Sequence, residues 1–391
     1  MTEILVILVG EQAAPNALVL LEPDFSHVDK YWFISTEKME KQGRTEHLLK
    51  ATKIKRDCLS VFIVPPDDPI RVASILSSSH NQDNRYIVSL TGSTKMIGAG
   101  AWSFFIQKTI KAKILYVLSG VNTYRVVHPS EYIGDYALNY SFSVKTYLEA
   151  YGIAYEKPSY GYQSNPATEK QLLQDVLDGK QPITSIKKST LALGYELTKE
   201  MRMINGELGV SYDHLVWLEN WLKHLHFTPQ TKQLLNASEV QYLQSLWLEH
   251  YLMRMIIGQL KLSSLECVHG WKLYPANDGE RLAGRNHEFD LLFCYRNKLY
   301  VIEAKIGLGK AQGQQIKVNF NNALFRLAAL KRDYGFHVQT VLITLTGKLR
   351  KHKGGTIQNH FAREADLLNV KIIDRTLLVE GPEVWVSLLL K

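Results

Sequence analysis

Cysteine is scarce in this chain: three residues among 391, Cys58, Cys267 and Cys294, odd in number and far apart. That argues against a disulfide framework and a cysteine-based zinc site, and accords with a reducing cytoplasm. No apolar run reaches the ~20 residues that a membrane-spanning helix needs, and Met1-Thr2-Glu3 opens without the basic segment and cleavage site of a secretory leader. A cytoplasmic protein without a membrane partner is expected. Gly-x-Gly-x-x-Gly is missing too, which argues against NAD, and so are the spaced glycines of a P-loop. What remains is ordinary globular composition, 46% apolar and 21% charged, at a length that predicts two or three domains.

The first 150 residues alternate short β-rich runs with helix-compatible stretches. Ile4 to Val9, Tyr31 to Ile34, Cys58 to Val64, Arg85 to Leu90 and Lys113 to Leu118 read as strands, with Glu40 to Ala51 and Thr94 to Lys111 among the helices. That order predicts an α/β domain, a Rossmann-like parallel sheet wound on both faces. Ligands of such sheets sit beyond the carboxyl ends of the strands. Three of those exits are polar: Gly10 to Asn16, Ser35 to Met39, and Leu90-Thr-Gly-Ser-Thr-Lys-Met96. In the last, Gly92 permits close backbone approach, Ser93 and Thr94 offer hydroxyls and helix-N-terminal amides, and Lys95 adds a cation. The same residues also suit a plain helix N-cap.

Chemistry concentrates in Glu288-Phe-Asp-Leu-Leu-Phe-Cys-Tyr-Arg-Asn-Lys-Leu-Tyr-Val-Ile-Glu-Ala-Lys305. Two apolar runs flank Arg296-Asn297, a hairpin pattern. Alternation along a strand puts Glu303 and Lys305 on one face, and Glu288 with Asp290 on one face of the preceding strand. Phosphodiester hydrolysis needs a hard cation held by one or two carboxylates, with water and phosphate completing its shell. Asp290 and Glu303 supply the carboxylates, and Lys305 a charge to orient water or offset charge on phosphate. A surface hairpin with a Glu/Lys pair is the plainer alternative. Upstream, Ser238 to Ile257 reads as a largely buried helix opened by a Ser238/Gln241 capping box, with Glu249 alone in its apolar centre. A carboxylate there requires either a metal or a cation, with Arg254 a candidate.

Between Arg296 and Lys353 stand twelve Lys and Arg against Glu303 and Asp333, so a chain of net charge +8 carries its basicity just after the hairpin. Such a block fits a polyanionic substrate. The helix expected over Gln314 to Tyr334 buries Ile316, Phe320, Leu324, Leu327 and Leu330 and leaves Gln315, Lys317, Asn319, Asn322 and Arg326 for nucleic acid. A strand follows at His337 to Leu345, then the basic loop Lys348 to Lys353.

Glu249, Asp290 and Glu303-Ala-Lys305 resemble the PD-(D/E)xK nuclease superfamily, with His287-Glu288-Phe289 where that family carries its proline. Taken with Gln12, Pro15 and Asn16 after the first strand and Thr-Gly-Ser-Thr-Lys after the fourth, the chain resembles the CARF-domain nucleases, ancillary effectors of type III CRISPR systems. The resemblance implies a CARF sensing domain over 1–155, a connector over 156–233, read as mostly helical, and an α/β restriction-endonuclease-like PD-(D/E)xK domain over 234–391. It implies a homodimer that binds cyclic oligoadenylate, usually cyclic tetra-adenylate, through Gln12, Asn16, Thr36, Lys38, Thr91, Gly92, Ser93, Thr94 and Lys95. It further implies Mn²⁺ or Mg²⁺ at Glu249, Asp290 and Glu303, assisted by Lys305, and cleavage of single-stranded RNA or DNA, with nicking of supercoiled plasmid. Two alternatives stand beside it: a nucleotide-sensing regulator that binds nucleic acid without cutting, and a CARF domain that degrades its own activator. His214, His224 and His226 are read as structural.

Overall fold

The computed structural model describes residues 1–118, 121–158, 164–179, 190–204, 207–212, 215–275, 287–308, 314–335, 338–350 and 355–390. The N-terminal sheet contains β1 (Glu3–Leu8), β2 (Lys30–Ser35), β3 (Leu59–Ile63), β4 (Arg85–Ser89), β5 (Lys111–Val117), β6 (Thr123–His128) and β7 (Gly134–Ala137). They lie in the order β3-β2-β1-β4-β5-β6-β7. The first five are mutually parallel, β6 runs antiparallel to β5, and β7 runs antiparallel to β6. All five expected strands are present. Both faces of β1 are buried, Ile4, Val6 and Leu8 in one core and Leu5 and Ile7 in another, as winding on both faces requires. The helix expected over Glu40 to Ala51 is two helices, Glu37–Lys41 and Arg44–Thr52, because Gly43 between them takes φ 68°, a left-handed conformation that ends a helix. The helix after β4 runs only over Lys95–Phe105, since β5 already begins at Lys111.

The connector is not simply helical. After β8 (Ile153–Glu156), the helices Pro166–Asp178, Thr190–Glu200 and Val216–His224 accompany a small antiparallel sheet of β9 (Arg202–Ile204), β10 (Glu207–Ser211) and β11 (Leu234–Asn236). His224 pairs with Asp175 at 2.9 Å, and His214 lies outside the described residues. The capping box that opens the next helix is Asn236/Glu239, two residues before the expected Ser238/Gln241: Asn236 accepts from the Glu239 amide, and Glu239 from the Asn236 amide.

The C-terminal sheet has the order β16-β15-β14-β13-β12-β8. Its strands are β12 (Cys267–Pro275), β13 (His287–Tyr295), β14 (Lys298–Lys305), β15 (Gln339–Thr344) and β16 (Val370–Asp374). The outermost strand, β8, comes from the end of the N-terminal region and pairs antiparallel with β12. Tyr155 of β8 stacks on Trp271 of β12 at 4.3 Å. On one face of this sheet, Leu292 and Val301 share a core with Phe142, Tyr147 and Tyr151 and with Phe320 and Leu324 of the helix Gln314–Tyr334. That core is therefore continuous between the N- and C-terminal domains. On the other face Leu291 and Ile302 pack with Leu248, Leu252 and Ile256 of the helix Trp247–Leu260. No helix among the described residues is long and apolar enough to cross a membrane.

Candidate functional site

The hairpin turn falls at Arg296-Asn297, both left-handed (φ 47° and 61°), and sets a register in which Leu291 faces Ile302. That register brings Asp290 beside Ala304, whose amide donates to Asp290 Oδ2 at 2.7 Å. Lys305 Nζ stands between the two strand carboxylates, 2.7 Å from Glu303 Oε1 and 3.5 Å from Asp290 Oδ2. Glu303 is only 2% exposed. Its second cation is Arg326, at 3.3 Å, which also donates to the Glu288 carbonyl. Asn319, Asn322 and Arg326 of the helix Gln314–Tyr334 join Glu303 and Lys305 around an open cleft of about 310 Å³. These three were among the residues expected to face nucleic acid.

Glu249 is buried, and its carboxyl is pushed well up, first by burial and then by the charges of Asp290 and Glu288. Asp290 is raised by burial and by Glu303. Burial pulls the Lys305 ammonium down, but attraction to Asp290 and Glu303 outweighs it and leaves the lysine firmly charged. Arg254 is not the partner of Glu249: it pairs with wholly buried Glu169 of the helix Pro166–Asp178, which also accepts from Tyr242 and Ser164. All four expected catalytic residues therefore converge, the helix acid by electrostatic proximity and the other three by direct contact.

Glu249, Glu288, Asp290 and Glu303 influence one another electrostatically, while Lys305 and Arg326 make direct ion pairs with the strand carboxylates. Among the described residues no three His, Cys, Asp or Glu side chains stand together closely enough to share an ion. The donor set fits a hard cation held by Asp290 and Glu303 with water completing the shell, and Glu249 is linked to that pair through its charge rather than by contact. The basic block is partly committed elsewhere. Arg350 makes a two-pronged pair with fully buried Asp374, at 2.5 and 2.9 Å, and residues 351–353 lie outside the described residues.

A second site lies at the exits of β1 to β4. Strand order reverses between β1 and β4, and the Gly10 and Gly92 loops touch there: a Cβ on Gly10 would lie 1.6 Å from the Gly92 carbonyl oxygen. A cavity of about 1080 Å³ opens beside them. Of the expected ligand residues, Thr36, Lys38, Gly92, Ser93 and Thr94 line it. Asn16 and Thr91 lie beneath. Asn16 Nδ2 donates to the Leu8 carbonyl at 2.9 Å and its amide supports Gly92; Thr91 Oγ1 accepts from the Val117 amide at 2.8 Å. Gln12 accepts from the Tyr151 hydroxyl at 3.4 Å, and Lys95 is exposed at the start of its helix; neither is among the lining residues. Lining residues not anticipated include Glu11, Lys41, Pro65 and Pro66. Pro65-Pro66, separated from the end of β3 by one residue, is a readable signal for a fourth exit loop. Thr94 is both the expected N-cap and a brace, accepting from Ile97 and donating to the Pro66 carbonyl at 2.8 Å. Lys38 pairs with Glu11 at 2.7 Å, and that pairing holds the Glu11 carboxyl low.

Residues 4–147 match the Card1 CARF domain family. No curated protein matches the chain. Among solved structures, Can2 from Sulfobacillus thermosulfidooxidans, in complex with cyclic tetra-adenylate, aligns over 98% of this chain and 99% of its own at 15% identity and TM-score 0.68. Protein VC1899 from Vibrio cholerae aligns over 99% and 97% at 15% identity and TM-score 0.71. A type III CRISPR defence DNA nuclease activated by cyclic oligoadenylate aligns over 88% of this chain and 45% of its own, at 14% identity and TM-score 0.51. At such identities the likeness is one of fold, and it runs end to end in the first two. The chain carries an N-terminal CARF domain joined to a C-terminal α/β domain, and its fold aligns with those of Can2 and VC1899 across both.

Proposed function

We propose that this protein is a cyclic tetra-adenylate-activated, metal-dependent nuclease of the PD-(D/E)xK type, acting as a cytoplasmic homodimer on single-stranded RNA or DNA, and nicking supercoiled DNA, in type III CRISPR defence. The observation that carries it is the cluster of Asp290, Lys305 and Glu303, backed by Glu249 and Arg326. Mg²⁺ or Mn²⁺ held by Asp290 and Glu303 would acidify a bound water and polarise the phosphoryl oxygen. Lys305, charged and hydrogen-bonded to both carboxylates, orients the attacking water and offsets charge on the phosphate. Arg326 neutralises Glu303 in the resting protein and, at the rim of the cleft, faces the incoming phosphate. Glu249, driven toward its neutral form, gains an ionised role only when a cation offsets its neighbours.

The cavity supports the sensing half of the reading. Its volume of about 1080 Å³ lies just above the range for small-molecule sites, ~300–1,000 Å³, and suits an oligonucleotide more than a mononucleotide. Lys38, Lys41 and the backbone amides at the helix starts provide phosphate contacts. A two-fold ring between two protomers would meet each exit loop twice. The test is cleavage of labelled single-stranded RNA, single-stranded DNA and supercoiled plasmid in Mn²⁺, with and without cyclic tetra-adenylate, for the unchanged chain and for Asp290→Asn and Glu303→Gln. Ring-dependent cleavage lost in both variants supports the reading. Retained polynucleotide binding with no cleavage under any condition would leave a regulator that binds without cutting.

A further inference from the structure

The turn that joins the two catalytic strands is plugged into the CARF domain. Asn297 Oδ1 accepts from the Phe142 amide at 2.8 Å, and Nδ2 donates to the Tyr140 carbonyl at 2.8 Å and to Asn122 Oδ1 at 2.6 Å. The two backbone partners force this amide orientation, since an N–H only donates and a carbonyl only accepts. Both amide hydrogens and the carbonyl oxygen are therefore engaged, at a residue whose left-handed backbone asparagine tolerates well. Asn122 is itself anchored, donating to the Leu138 carbonyl at 2.9 Å.

From this plug a short series of contacts leads to each site. Toward the cavity, Asn122 directly precedes β6, which pairs with the end of β5 through Leu118–Thr123 and Val117–Tyr124, and the Val117 amide donates to Thr91, the neighbour of cavity-lining Gly92. Toward the cleft, β14 starts at Lys298 and reaches Glu303 six residues after Asn297, roughly 20 Å of extended strand. β13 carries Asp290 on the other arm of the same hairpin. A paired strand transmits displacement along its length with little bending, so movement of the Asn122 loop shifts both carboxylates together.

We propose that Asn297 is a positioning residue that fixes the hairpin bearing Asp290 and Glu303 to the CARF domain, and that ring binding reaches the catalytic cluster through it. The proposal rests on the ring-activated reading above, and its test has a readout besides cleavage. Asn297→Gly keeps the left-handed turn, because glycine adopts it freely, and removes all three hydrogen bonds. Asn122→Ala removes the far partner and leaves the hairpin sequence intact. Hydrogen exchange of the full chain is followed over 287–305 and over the cavity loops, with and without cyclic tetra-adenylate, alongside ring affinity and cleavage. In the unchanged chain, ring binding alters exchange in both regions. In both variants the ring still binds and the cavity loops still respond, while the response at 287–305 is lost and ring stimulation of cleavage falls roughly tenfold. A wild-type response at 287–305 in Asn297→Gly, or no ring-induced change there in the unchanged chain, would overturn the proposal. If the unchanged chain shows the exchange change but never cuts, the nuclease reading fails, and the variant comparison still decides the role of Asn297.

Discussion

Replacing Glu249 with glutamine should make the metal-free protein more stable, and more so as pH rises. Its carboxyl is pushed up to about 9 from the ordinary 4.5, by burial first and by the neighbouring acids second. A carboxyl raised in the folded state binds its proton more tightly folded than unfolded. It therefore destabilises the fold progressively as pH climbs from the unfolded value toward the folded one. Over the three pH units from 4.5 to 7.5, at about 1.4 kcal/mol each, the penalty reaches ~4 kcal/mol at most. Glutamine has nearly the same shape and carries no proton to lose, so Glu249→Gln should gain on the order of 2–4 kcal/mol at pH 7.5 and almost nothing at pH 4.5. Thermal unfolding at pH 5 and pH 8 reads this directly, as a melting temperature several degrees higher in the variant at pH 8 and nearly equal at pH 5. Mn²⁺ should narrow the gap at pH 8, because a cation offsets the carboxylates in the unchanged chain and finds one fewer in the variant. Equal melting temperatures at pH 8, or a difference that persists unchanged at pH 5, would refute the reasoning.

Cleavage should decline as pH falls through about 6, where Asp290 takes up a proton and loses its hold on a cation; a pH–rate profile with its acid limb well below 5 would contradict this. Arg326→Met should lower kcat/KM by about a hundredfold through loss of a charged contact to phosphate and to Glu303, with the fold intact by circular dichroism. Arg254→Met should cost ~3–5 kcal/mol of stability by leaving Glu169 buried and ionised without its cation, measured by urea unfolding. Gly92→Ala should weaken ring binding at least tenfold, since φ is 104° there and the added Cβ would meet Asn16 Nδ2 at 2.9 Å; isothermal titration gives the affinity.

The hairpin that carries Asp290 and Glu303 was legible because its signals are local. Alternation alone places Glu303 with Lys305, and the left-handed preference of asparagine marks the turn. The helix Gln314–Tyr334 was legible through its apolar stripe, and Asn319, Asn322 and Arg326, at spacings of three and four, share the face that meets the cleft. What escaped depends on distance along the chain. The partner of Arg254 is Glu169, 85 residues earlier, and no spacing rule connects them. Strands of three to five residues, as in β9 to β11, are too short for alternation to stand out against helical neighbours. The bracing contacts of Asn16 and Thr91 were not legible, because polar residues near a strand exit serve equally to bind a ligand or to brace the loop that does.

The strand β8 settles how separable the two domains are. It closes the edge of the C-terminal sheet with four residues that belong, by chain order, to the end of the sensor. A C-terminal fragment started after Glu156 would bare the backbone of β12 and half of the Tyr155–Trp271 stack, an invitation to edge-to-edge aggregation. Grafting a different N-terminal domain onto this C-terminal domain, or the reverse, must therefore cut before Ile153, so that the spare strand travels with the sheet it completes.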